Sequence, residues 1–94
     1  MALTRKVLPI FEGAGQVRFT GHDGPVQYRI SGDPSTLRAG HTRLRGVVIT
    51  TPEIAADAFR AGEGVLALEE GASFRIVMLG HTTGGHEVFV ELRV

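Results

Sequence analysis

The chain contains neither cysteine nor tryptophan. Without thiols it has no disulfide, no thiolate metal ligand and no cysteine nucleophile, and its composition gives no sign of an oxidising compartment. Long apolar runs are also missing: no segment approaches the ~20 consecutive apolar residues that a membrane-spanning helix requires. The opening stretch "MALTRKVLPIF" carries Arg5 and Lys6 but neither an extended apolar core nor a small-residue cleavage site. It is not expected to act as a secretory leader, which makes a cytoplasmic protein without a membrane partner the expectation.

A surplus of either charge is absent as well. Ten basic residues offset ten acidic ones among the 94, and Lys6 is the only lysine beside nine arginines. A zero net charge argues against nucleic acid as a partner, because neutralising phosphates usually takes an evident basic excess. Weak self-repulsion, by contrast, permits association with other copies.

Glycine is plentiful, with 13 residues, and it divides the chain into short segments rich in β-branched and aromatic residues. Many-stranded β domains have this texture. "TRKVLPIF" reads as an edge strand or bend because Pro9 cannot donate to a ladder. In "GQVRFT" Val17 and Phe19 alternate with polar neighbours, and "PVQYRIS" repeats the pattern with Val26, Tyr28 and Ile30 on its apolar face. The Asp23-Gly24 pair between them signals a hairpin, so the two should pair antiparallel. "VVIT" is apolar on both faces and is expected to be central. "VLALEE", "SFRIVMLG" and "EVFVELRV" complete the set, joined by glycine-bearing turns.

One helix interrupts the strands. In "TPEIAADAFRAG" Thr51 is placed to cap, Pro52 suits the first helical position, Glu53 complements the dipole and Gly62 terminates, which predicts a helix over 52–61. Ile54, Ala55, Ala58 and Phe59 form its apolar stripe. The expected architecture is therefore mainly β: one domain over 1–94, a small antiparallel barrel or two-sheet sandwich of about seven strands with one short helix.

The residues that carry chemistry are few. All four histidines follow glycine (His22, His41, His81 and His86) and fall at expected turns, where converging imidazoles would hold a divalent metal. The stretch "GHTTGGH" poses that question most directly. Four residues separate His81 from His86, which is neither the helical His pair of zinc proteases nor a close strand-borne pair, so no cofactor is expected beyond the possibility of such a metal. Arg38, Arg43 and Arg45 cluster on the polar, glycine-broken stretch "LRAGHTRLRG" and have the forked geometry that binds an anionic ligand. Ser31, Ser35 and Ser73 lie in no nucleophile elbow, and the glycines at 13, 15, 62 and 64 do not match a phosphate loop but read as turns.

The last segment has a different character. Val88, Val90, Leu92 and Val94 alternate against Glu87, Phe89, Glu91 and Arg93, so Phe89 is left on the wet face. An apolar final strand is a template for pairing with another chain unless a neighbouring strand covers it by closing a barrel. The primary expectation is a non-catalytic binding or assembly module, forming a homo-oligomer or engaging a protein partner through Val88, Phe89, Val90, Leu92 and Val94. The alternative is a small barrel, a ligand-binding protein or an enzyme, that takes a metal or anionic ligand through its loop histidines and arginines.

Overall fold

The computed structural model of the chain describes residues 10–32 and 43–93. Six strands, β1 (Ile10–Phe19), β2 (His22–Ser31), β3 (Leu44–Ile49), β4 (Glu63–Ala67), β5 (Ser73–His81) and β6 (Glu87–Arg93), close into an antiparallel barrel in the order β1-β2-β3-β6-β5-β4. One helix, α1 (Pro52–Ala61), links β3 to β4. Of the two expected architectures, barrel and two-sheet sandwich, the barrel is what forms, with one helix among the described residues.

Alternation along the strands builds the core. Val17, Val26, Ile30, Ile76, Val90 and Leu92 point into the barrel and are almost completely buried, while the intervening residues face outward. The buried side chains among the described residues are apolar except for the Tyr28 hydroxyl, so the interior is held mainly by apolar packing, at roughly 25 cal/mol for each Å² of apolar surface removed from water.

Local signals define α1. Thr51 is extended and its hydroxyl accepts the Ile54 N–H at 3.2 Å, Pro52 opens the helix, and Gly62 closes it at φ 86° while donating its N–H to the Ala58 carbonyl at 3.1 Å. Ala55 and Ala58 are the buried residues, and their small side chains let the helix lie close across one end of the barrel. Phe59, expected on the apolar stripe, is 43% exposed. Thr51→Ala leaves the Ile54 N–H without this acceptor and is expected to cost about 1 kcal/mol, read as a fall in melting temperature of roughly 4–8 °C.

Three expectations are corrected here. Ile10 and Phe11, the described part of "TRKVLPIF", continue into "GQVRFT" as the single strand β1, and the described residues form six strands where about seven were expected for the chain. The β1–β2 turn is Thr20-Gly21, with Gly21 at φ 89°, and Asp23-Gly24 lie within β2 opposite Arg18 and Val17. Gly24 is instead the floor on which the His22 ring rests, since a Cβ there would lie 3.0 Å from Nε2.

Gly13 and Gly15 are likewise not turns but interior positions of β1. They make room for Tyr28, which sits opposite Gly13 in the β1–β2 register. A Cβ at Gly13 would come within 2.6 Å of the phenol oxygen, and one at Gly15 within 3.2 Å of the ring. The hydroxyl accepts the Glu69 N–H at 3.2 Å, and the Glu69 carboxylate in turn accepts the Ala14 N–H at 3.1 Å. That pair of bonds ties the β4–β5 turn to β2 and to the part of β1 that extends beyond β4.

Candidate functional site

The barrel has two ends. The β1–β2 turn, α1 and the β5–β6 hairpin gather at one, and the β4–β5 turn lies at the other. His22, His81 and His86 all lie at the helix end, and His41 lies outside the described residues. Sharing an end does not bring all three together, because α1 stands between His22 and His81. Asp57, Arg60 and Ala61 line a cleft with His22, whereas Phe59, on the opposite side of the helix, packs its ring 6.3 Å from that of His81. Among the described residues no three His, Asp or Glu side chains form a group able to hold a metal ion.

Each described histidine has a local role. His22 pairs across the turn with Phe19, the rings 5.1 Å apart, and its buried Nε2 has no hydrogen-bond partner among the described residues. His86 closes a reciprocal clasp with Thr50: its carbonyl accepts the Thr50 N–H at 2.9 Å and its Nδ1 lies 3.0 Å from the Thr50 carbonyl. His81 Nδ1 lies 3.2 Å from the Glu87 carbonyl. A carbonyl oxygen only accepts, so in both bonds Nδ1 is the donor. The "GHTTGGH" stretch is thus a hairpin loop whose two imidazoles fasten its ends, one to the start of β6 and the other to the strand leading into α1.

Arg38 lies outside the described residues. Arg43 immediately precedes β3, and Arg45 lies within that strand and not on a loop as expected. Glu91 serves this region: Arg43 approaches it at 3.7 Å, Arg93 at 3.1 Å, and Arg45 stands opposite it in the β3–β6 register. An anion would have to compete with that carboxylate. Ser31 and Ser73 bond no histidine among the described residues, and Ser35 is outside them.

The premise of a free final strand does not hold. β6 is paired on both sides, with β3 and with β5, and the barrel closes instead through β1 and β4. Val88, Val90 and Leu92 point into the core, fully buried, and Val94 lies outside the described residues. Phe89 alone of that set faces solvent, 45% exposed.

Phe89 has company that periodicity did not reveal. Between Met78, which pairs with Val90, and Gly80, which pairs with Phe89, the β5–β6 register slips, and Leu79 is the extra residue. A bulge re-aims side chains, and Leu79 is turned outward beside Phe89, 44% exposed. Val47 faces Phe89 from β3, with Ile49 and Val77 nearby, all half-buried. The outer wall of β3, β6 and β5 thus carries an apolar strip, ending in Glu87 toward the helix and in Arg45 and Arg93 toward the other end.

No family model, no curated protein and no solved structure matches this chain.

Proposed function

We propose that this protein is a non-catalytic assembly module that pairs with a second copy of itself through the outer wall of β3, β6 and β5. The observation that carries this reading is Phe89 and Leu79 side by side on a solvent-facing sheet, flanked by Val47. Apolar residues gathered on one exposed face favour contact with another protein surface, where single scattered ones would need no explanation.

Charge selects the partner. Glu87 and Arg45 lie at opposite ends of the strip, and neither makes an ion pair among the described residues. A two-fold axis crossing the strands would set Glu87 of one copy against Arg45 of the other, twice over, with Phe89 near the centre. Such an isologous contact is self-complementary, and zero net charge offers it no long-range opposition.

Sedimentation equilibrium across micromolar concentrations tests the proposal. The native chain is expected to dimerise. Phe89→Glu should weaken association by at least ~30-fold while leaving the circular dichroism unchanged, as expected for a central aromatic anchor. Glu87→Arg and Arg45→Glu should each weaken it and together restore it. A native chain that remains monomeric throughout would refute the proposal.

A further inference from the structure

We propose that Arg18 and Arg75 form a clamp for a phosphate group on the outer wall, over Val65. This site shares only Val77 with the strip around Phe89 and does not depend on the assembly proposal.

Register places the two arginines. Arg18 of β1 stands opposite Val65 of β4, and Val65 stands opposite Arg75 of β5, so the two face outward with one strand between them. Their Cα atoms are thus roughly 10 Å apart, two strand spacings, and two extended guanidinium groups reach a common point above Val65. The cleft there, about 460 Å³, is lined by both arginines with Val65, Val77 and Glu63 among its walls.

Among the described residues neither arginine is neutralised by an ion pair. Arg18 stands opposite Asp23 on its other side yet makes no ion pair, and Arg75 makes none either, among the described residues. Arg75 also faces Arg93 directly across the β5–β6 pairing, an arrangement of like charges that is unfavourable unless compensated. Arg93 has its carboxylate in Glu91, bonded at 3.1 and 3.2 Å. The uncompensated charge is therefore on Arg75.

A tetrahedral phosphate suits this geometry. It accepts from guanidinium forks on both sides at once, and arginine holds it with paired, planar donors. The apolar floor of Val65 and Val77 would take the organic body of a phosphomonoester. Glu63 lines the same cleft without reaching either arginine and sets the sign of one test, since its charge repels the ligand.

The experiment is a titration followed by NMR at the arginine Nε–Hε signals, with inorganic phosphate, methyl phosphate and phenyl phosphate as probes. Expected are saturable shifts at Arg18 and Arg75. Arg18→Gln and Arg75→Gln should each lower affinity about tenfold, Arg29→Gln should leave it unchanged, and Glu63→Gln should raise it. Phenyl phosphate binding tighter than the other two would indicate a monoester with an apolar body, whereas equal affinities would indicate the phosphate group alone. Shifts that fail to saturate, that survive both arginine substitutions, or that weaken in Glu63→Gln would overturn the proposal.

Discussion

Gly15→Ala is expected to destabilise the protein by about 2–3 kcal/mol, the upper part of the range for an atom forced into a closed packing arrangement, and to lower the melting temperature by roughly 10–20 °C. A Cβ at this position would sit 2.1 Å from the Ala67 carbonyl oxygen, and that oxygen belongs to the backbone of β4. The strand cannot retreat without loosening the β1–β4 pairing, which spans only Gln16–Arg18 against Val65–Ala67 and closes the barrel. The sign is informative. Glycine is a poor strand residue, and where space exists its replacement by alanine relieves chain entropy and stabilises by ~0.4–1 kcal/mol. Gly80 provides that comparison within the same barrel: its nearest neighbour would be Phe89 Cδ2 at 3.8 Å, an ordinary contact. Denaturant melts of the two variants should therefore move in opposite directions, and a Gly15→Ala protein as stable as the parent would mean that β1 and β4 do not approach as described.

Leu92→Ala should cost 2–5 kcal/mol, the range for removing a large buried aliphatic side chain and leaving a cavity. Leu92 is fully buried and lies in register with Leu44 on one side and Ile76 on the other, so three strands lose packing at once. Phe89→Ala, three residues earlier on the same strand, removes a larger side chain from the outer wall. Measured at concentrations low enough to keep the chain monomeric, it should cost less than about 1 kcal/mol, since half-exposed groups lose less on truncation. Equal losses at the two positions would place β6 in the wrong register, and with it the strip on which assembly is argued.

How far each feature was legible follows from the range of the interaction that sets it. The helix was readable to its ends because Thr51, Pro52 and Gly62 act within a turn of themselves, through a hydroxyl on the Ile54 N–H and a positive φ at Gly62. The inward faces of β2 and β6 were readable from alternation. The β1–β2 turn was misplaced by three residues because Asp23-Gly24 carries the stronger hairpin signature, whereas Gly21 is the glycine that adopts positive φ. Gly13 and Gly15 looked like punctuation because a glycine demanded by a ring from the next strand is indistinguishable, in one dimension, from a glycine demanded by a turn. Of the site residues, Phe89 was correctly placed on the wet face. Leu79 was not, because an added residue in one strand leaves no mark on its own periodicity. Arg18 and Arg75 lie 57 positions apart and meet only across β4.

Composition and local pattern were thus enough to establish a cysteine-free, glycine-divided β domain with one capped helix and a largely apolar set of inward residues. Tertiary structure decided the rest: that β6 is enclosed and β1 joins β4, that the helix separates His22 from His81 at its end of the barrel, and that a bulge sets Leu79 beside Phe89. The division is physical. Capping and alternation are properties of a few adjacent residues, whereas closure, bulges and close glycine contacts arise from register between strands distant in the chain, which no short stretch of sequence encodes.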